Sequence, residues 1–191
     1  MQNRLSSKRA ALPAFETNLR APAKARQIIL GIDPALRGTG YGIICAGKPA
    51  PQTLVHGTIS CHPGWERSRC LLHIVQMLRD LLQQYRPEVC VIEGLFYAQN
   101  LRTALVMGEA RGAALATVAE AGLEIYEIAP RKVKQAVVGY GAAQKLAVAK
   151  MVQRMLRLAA PPEPDAADAL ALALTYAQEQ GRYNLTPSRR L

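Results

Sequence analysis

The feature that most constrains the fold of this chain is an uninterrupted apolar run, Ile28 to Ile32, that ends at Asp33-Pro34. A short apolar run without alternation is typical of a central β-strand buried on both faces. Proline ends such a strand because it lacks the N–H group that ladder hydrogen bonding requires. A second apolar run, Val89 to Ile92, ends in the same way at Glu93. We therefore expect an α/β fold whose central strands are covered by helices.

The remaining elements follow from hydrophobic periodicity and from turn residues. Tyr41–Ala46 and Thr53–Ser60 are predicted strands, so the first three strands should form an antiparallel meander. Glu124–Ile128 is predicted as the fifth strand. Helical spacing, with proline and glycine as stop signals, predicts helices over 71–82, 101–121, 130–137, 142–158 and 165–178. The predicted architecture is a five-stranded mixed sheet flanked by helices.

The basic charge of the chain is unevenly distributed. The 191 residues carry a formal net charge of +10, and residues 1–26 alone hold six basic residues and one acid. We expect a disordered basic extension over 1–26, one domain over 27–179, and a basic tail over 180–191. Within the domain, Arg131 to Arg157 holds seven basic residues and no acid. Such a segment favours a polyanionic partner, and a solvated basic face is the alternative.

Several classes of protein are disfavoured by the sequence. No apolar run approaches the roughly 18 residues of a membrane span, so no membrane partner is expected. The four cysteines contain no C-x-x-C pair, which argues against a zinc site or a disulfide scaffold. A reducing, cytoplasmic compartment is the simplest expectation. Organelle targeting by residues 1–26 is the less favoured alternative.

Four carboxylates are the candidates for chemistry. Asp33 and Glu93 end the two apolar strands and would reach the same sheet edge if those strands are neighbours. Asp165 and Asp168 lie one turn apart on the last predicted helix. Converging carboxylates would select a hard divalent ion such as Mg²⁺ or Mn²⁺. The alternatives are ordinary strand-end acids for the first pair and helix capping for the second.

Five stretches resemble, in order, the bacterial Holliday-junction resolvase family RuvC. They are ILGIDPALRGTGYGII, VIEGLFYAQN, EARGAA, PRKVKQAVVGYGAAQK and PDAADALALALTYA. The resemblance covers about residues 27–178 and implies a ribonuclease H-like fold and a homodimer. It also implies nicking of four-way DNA junctions with Mg²⁺, two ions per active site, for which Mn²⁺ can substitute. A branch-migration complex of the RuvAB type is implied as a partner.

The resemblance assigns roles to individual residues. The family's catalytic and metal-binding acids correspond to Asp33, Glu93, Asp165 and Asp168, and Lys145 corresponds to a lysine near the reacting DNA. The candidate DNA-binding residues are Phe96, Tyr97, Arg102, Lys132, Lys134 and Lys150. Arg111 is expected to be structural or to lie at the dimer interface. Ala35 stands where the family usually has glycine, and alanine would cost about 1 kcal/mol if that position required positive φ.

Three other functions remain open on the sequence. Gly38 to Gly40 faintly resembles the first phosphate loop of an actin-like ATPase or sugar kinase, but no second phosphate loop follows. Another ribonuclease H-like nuclease, cutting RNA–DNA hybrids or acting in transposition, would use the same carboxylates. A non-catalytic junction-binding module is the third alternative. The presence of all four carboxylates argues against it.

Overall fold

The computed structural model describes residues 26–94, 100–180 and 188–191. In these residues the strands are β1 (Arg26–Asp33), β2 (Gly38–Gly47), β3 (Gln52–Ser60), β4 (Val89–Glu93), β5 (Glu124–Ile128) and β6 (Arg189–Arg190). The helices are α1 (Arg67–Tyr85), α2 (Leu101–Glu120), α3 (Pro130–Val138), α4 (Lys145–Leu156) and α5 (Pro164–Gln180). Their order confirms the predicted succession of five strands and five helices. Within the described ranges, no helix combines the length and apolarity needed to cross a membrane.

The strands form one mixed sheet in the order β3-β2-β1-β4-β5-β6. β1, β2 and β3 pair antiparallel, which confirms the predicted meander. β4 pairs parallel with β1, and β5 pairs parallel with β4. The chain therefore builds outward from β1 in one direction and then in the other, so that β1 and β4 meet where the strand order reverses.

The sixth strand corrects the predicted count of five. Arg189 and Arg190 pair antiparallel with Glu127 and Tyr126 of β5, and Arg190 Nη2 lies 2.9 Å from Glu124 Oε1. A strand of two arginines has no apolar alternation, so hydrophobic periodicity could not reveal it. It forms because β5 would otherwise leave unpaired backbone groups at the edge of the sheet.

Helices cover both faces of the sheet, as expected for strands that are apolar throughout. On β1, Ile29 packs in the core under α3, α4 and α5, whereas Leu30 packs in the core under α1 and α2. On β4, Val91 packs in the core under α3, α4 and α5, and Cys90 packs in the core under α1 and α2. Because side chains alternate along a strand, this parity determines which face each later residue of β1 and β4 reaches.

The turn after Asp33 is tighter than predicted, because β2 already begins at Gly38. The hydroxyl of Thr39 closes the turn by donating to the Ala35 carbonyl at 2.7 Å and accepting from the Ala35 N–H at 3.3 Å. Among the described residues, the non-glycine positions with positive φ are Arg86 and Arg157. Ala35 therefore carries no left-handed strain, and the expected cost of replacing glycine there does not arise.

Candidate active site

Asp33 and Glu93 meet at one edge of the sheet. They are the last residues of β1 and β4, and the register of these parallel strands pairs Ile32 with Ile92 directly before them. By alternation from Ile29 and Val91, both side chains project toward the face covered by α5. Their carboxyl groups are close enough for each to shift the pKa of the other. The structure thus brings together the two strand-end acids that the sequence singled out.

The acids of α5 reach the same place because glycines stand at two positions of the sheet where this helix crosses it. A Cβ on Gly31 would lie 1.9 Å from the Ala169 carbonyl oxygen, and one on Gly40 would lie 2.0 Å from the Asp165 carbonyl oxygen. Real Cβ atoms cannot approach so closely, so glycine lets the α5 backbone rest directly on β1 and β2. Asp168 is close enough to act electrostatically on both Asp33 and Glu93.

Asp165 lies on the other side of the helix start, over β2. Its Oδ2 atom would be 2.9 Å from a Cβ on Gly38. Asp165 also lies in the first turn of α5, where a negative charge suits the helix dipole, so the structure is compatible with both interpretations of this residue.

Two lysines border the carboxylates. Lys145, the first residue of α4, places Nζ 3.0 Å from Asp168 Oδ2, with the lysine side chain 66% exposed and the aspartate 21%. Lys134 of α3 lies further along the wall. Together these six side chains line a cavity of about 310 Å³. Its apolar lining includes Pro34, Met107, Pro130, Val133, Val148 and Leu172.

Burial and mutual repulsion raise the pKa values of two of the acids. Burial, followed by the charges of Glu93 and Asp168, raises the pKa of Asp33 to about 8. Burial and then Asp168 also raise the pKa of Glu93. The hydrogen bond to Asp168 raises the pKa of the Lys145 ammonium. A cluster of this kind favours protonation or cation binding over bare negative charge.

The donor atoms that face the cavity determine which metal ion could bind there. In the described ranges, no three His, Cys, Asp or Glu side chains converge closely enough to form a ready-made cluster. Four carboxylates nevertheless face one cavity, and oxygen donors of this kind suit hard divalent cations. A cation would compete with the proton that the raised pKa keeps on Asp33, and with the Lys145 ammonium for Asp168. The chemistry of the donors therefore fits a divalent ion.

The other predicted residues are distributed around this site. Arg102 is exposed in the first turn of α2, and Lys150 is exposed on α4. Lys132 is engaged elsewhere, with Nζ 2.7 Å from Glu179 Oε1 near the end of α5. Phe96 and Tyr97 fall between 94 and 100, outside the described residues.

Arg111 was expected to be structural or to lie at the dimer interface, but the sequence did not reveal its partners. It is 8% exposed, donates to the backbone oxygen of Glu93, and forms an ion pair with Glu127 of β5. Its partners lie 18 and 16 residues away in sequence, so no local pattern pairs them. The sequence signals for a buried role were the EARGAA stretch and a basic residue inside an alanine-rich helix.

Comparison with known proteins gives a consistent result. The family model described as crossover junction endodeoxyribonuclease RuvC matches residues 29–176. A protein of that name from Akkermansia muciniphila is 45% identical over 148 residues, which cover 78% of this chain and 89% of that protein. Another, from Chromohalobacter salexigens, is 41% identical over 162 residues, covering 85% and 87%.

A solved structure is similar over nearly its whole length. The structure of T. thermophilus RuvC in complex with a Holliday junction substrate superposes with a TM-score of 0.77 at 32% identity. The match covers 86% of this chain and 99% of that one. This likeness confirms the predicted ribonuclease H-like fold.

Proposed function

Because this chain belongs to the RuvC family of crossover junction endodeoxyribonucleases, we propose that it resolves four-way (Holliday) DNA junctions by paired, symmetric nicks. The observation that carries the proposal is the convergence of Asp33, Glu93, Asp165 and Asp168 on one cavity. The T. thermophilus relative is bound to a Holliday junction substrate, which supports the choice of a four-way junction for this chain.

Two Mg²⁺ ions per active site are the proposed cofactors, with Mn²⁺ able to substitute. Asp33, Glu93, Asp165 and Asp168 would hold them, because all four offer only oxygen donors to the cavity. When bound, such ions activate a water molecule and stabilise the charge of the leaving oxygen in phosphodiester hydrolysis. Exchange of a proton and an ammonium group for these cations would remove the repulsion that raises the pKa values of Asp33 and Glu93.

Lys145 is proposed to act on the DNA rather than on the fold. Its side chain lines the cavity and is 66% exposed, and its contact with Asp168 keeps the ammonium beside the carboxylates. There it can stabilise the charge that develops on the scissile phosphate. Lys134, which also lines the cavity, would help to hold the same strand.

The flanking DNA would be held by the remaining predicted residues. Arg102 and Lys150 are exposed, as phosphate contacts require. Lys132 would reach DNA only by leaving Glu179, so its contribution should be smaller. Phe96 and Tyr97 follow Glu93 closely in sequence and would stack on unpaired bases at the junction, each worth about 1–3 kcal/mol.

A homodimer is proposed because two symmetric nicks require two active sites related by a two-fold axis. One face of α2 is suited to this contact. Leu101 is 77% exposed and Leu105 is 58% exposed. Gly108 and Gly112 continue the same face at helical spacing, with open space where a Cβ would be. A second α2 could approach closely over these glycines and cover both leucines.

The wider setting is proposed from the family and from charge. The nuclease domain would be residues 27–179, with 1–26 and 180–191 adding nonspecific affinity for DNA through their basic residues. A branch-migration complex of the RuvAB type would deliver the junction. The cytoplasm, where chromosomal junctions form in bacteria, is the proposed location.

Three substrates distinguish the proposal from its rivals. The protein is incubated with a four-way junction, a linear duplex of the same sequence, and an RNA–DNA hybrid, while Mg²⁺ is titrated. Symmetric nicks confined to the junction support resolution. Cleavage of the hybrid or the duplex at a comparable rate would instead indicate another ribonuclease H-like nuclease, and junction binding without cleavage a non-catalytic module.

The full chain and the protein lacking residues 1–26 are compared in the same assay. Loss of affinity at low salt without loss of cleavage rate would assign the extension to nonspecific binding. The ATPase alternative is disfavoured by position, since Gly38 and Gly40 lie in β2 against Asp165 rather than in an open phosphate loop. Absence of ATP binding in the same preparation would dispose of it.

A further inference from the structure

Arg111 is a charged side chain in the interior of the protein. It belongs to the face of α2 that packs on the sheet, where its buried neighbours are Ala110 and Ala114. The same side of the sheet contributes Cys90, which is 1% exposed and close enough for Arg111 to act on it electrostatically. A buried guanidinium is costly unless its hydrogen bonds are used, so its partners indicate what it is for.

The first partner is the peptide group that follows Glu93. Arg111 Nη1 donates to the backbone oxygen of Glu93. On the other side of the same peptide, the N–H of Gly94 donates to the Ile128 carbonyl at 2.9 Å. Both polar groups of the peptide are therefore fixed, one by α2 and one by β5. Fixing this plane also fixes the backbone from which the Glu93 side chain projects into the cavity.

The second partner holds the guanidinium itself. Arg111 Nη2 forms an ion pair with Glu127 Oε2, and these side chains are 10% and 22% exposed. Glu127 lies on β5 directly opposite Ile92 of β4, one residue before the end of that strand. The arginine thus joins two strands and a helix with its two terminal nitrogens. Lysine, with a single nitrogen, cannot reproduce this fork.

We propose that Arg111 and Glu127 are positioning residues for Glu93, holding its strand end so that its carboxylate is presented to a divalent cation. The inference rests on the proposed metal site, and it adds residues that touch neither metal nor DNA. Partners that orient a metal ligand from outside its coordination shell commonly affect metal affinity 10- to 100-fold. A pair that merely fastened α2 to the sheet would affect stability and leave metal affinity unchanged.

The test measures Mn²⁺ binding to the full-length protein without DNA, by calorimetry or electron paramagnetic resonance. The variants are Arg111→Lys, Arg111→Met and Glu127→Gln, with Arg79→Met as the matched control. Arg79 also forms an arginine–glutamate pair with α2, through Glu120, but both side chains are more than half exposed and neither lines the cavity. Urea unfolding of each variant reports stability separately.

We expect Arg111→Lys and Arg111→Met to weaken Mn²⁺ binding about 10- to 100-fold, and Glu127→Gln to weaken it less. The double variant Arg111→Met/Glu127→Gln should be little worse than Arg111→Met alone, because the residues act as a unit. Arg79→Met should leave Mn²⁺ affinity unchanged. If Arg111→Met does not fold, Arg111→Lys and Glu127→Gln, which retain polar groups at both positions, decide the outcome.

Unchanged Mn²⁺ affinity in folded Arg111→Lys and Glu127→Gln would overturn the inference and leave the proposed function intact. The wild-type protein and Asp33→Asn distinguish failure of the positioning role from failure of the metal site. Mn²⁺ binding that is present in the wild type and lost in Asp33→Asn supports the metal site itself. If the wild type does not bind Mn²⁺, the metal site fails, and the positioning role fails with it.

Discussion

Asp33 and Glu93 end neighbouring parallel strands, one residue beyond the paired Ile32 and Ile92, and their side chains line one cavity. Two carboxyl groups that face the same cavity repel each other when both are ionised. Burial and then the charges of Glu93 and Asp168 raise the pKa of Asp33 to about 8, so Asp33 retains its proton at neutral pH. A divalent cation must displace it, which couples metal binding to proton release.

Asp33→Asn should abolish junction cleavage while leaving junction binding intact. The amide keeps the shape of the side chain but lacks the charge that a divalent cation needs. Loss of several kcal/mol of transition-state stabilisation corresponds to a fall of roughly three orders of magnitude in single-turnover rate. Gel-shift titration in Ca²⁺ measures binding, and cleavage in Mg²⁺ measures the rate. Survival of cleavage would show that Asp33 is not a metal ligand.

The same substitution should stabilise the protein in EDTA near pH 8. The folded pKa of Asp33 lies above the ordinary value of 3.8, so its contribution to stability is full below that value and is lost as pH rises to about 8. The Asp33→Asn variant has no such group to ionise. Its free energy of unfolding should exceed that of the wild type by about 1–3 kcal/mol at about pH 8, with little difference at about pH 4. Urea unfolding at both pH values checks this. An equal effect at both would contradict the raised pKa.

Lys145→Ala should slow cleavage more than it weakens binding. Its ammonium lies 3.0 Å from Asp168 Oδ2, where it can act on a phosphate at the metal site, and loss of such a donor costs about 100-fold in rate. Lys150→Ala is the matched control from the same helix, expected to weaken binding and reduce its salt dependence without slowing the bound complex. Equal losses of rate and affinity in Lys145→Ala would reduce it to a phosphate contact.

Gly40→Ala should impair both folding and cleavage. Its new Cβ would fall 2.0 Å from the Asp165 carbonyl oxygen, so the start of α5 would have to move away from the sheet. Overpacking of this kind costs roughly 3 kcal/mol. Gly64→Ala is the control, since its nearest contact is the flexible side chain of His62 at 3.3 Å. Circular dichroism melts and Mg²⁺-dependent cleavage are measured. A Gly40→Ala variant with the stability and cleavage rate of the wild-type protein would refute the close contact.

Leu105→Glu should convert the proposed dimer to monomers and uncouple the paired nicks. Leu105 is 58% exposed on the proposed face of α2, where a second copy would bury the introduced charge. Leu54→Glu is the control, because Leu54 is 41% exposed on β3, an edge strand of the sheet. Light scattering gives the mass, and a cruciform plasmid distinguishes single from paired nicks. A dimer that persists in Leu105→Glu would place the contact elsewhere.

Much of the fold could be predicted because its signals are local. The apolar runs ending at Asp33 and Glu93 indicated central strands, and helical periodicity located the five helices. β6 escaped prediction because two arginines have no periodicity. Two of the four acids of the site, Asp33 and Glu93, could be predicted for the same reason, because strand ends are visible in the sequence. Asp165 and Asp168 were equally consistent with helix capping.

The sequence by itself determined the central strands, and therefore that Asp33 and Glu93 lie at strand ends. Only the tertiary structure decided how close α5 comes, because that depends on which backbone lies over Gly31 and Gly40. It also paired Arg111 with the end of β4 and with Glu127. Periodicity and turn chemistry act over a few residues, whereas these contacts join distant parts of the chain through packing.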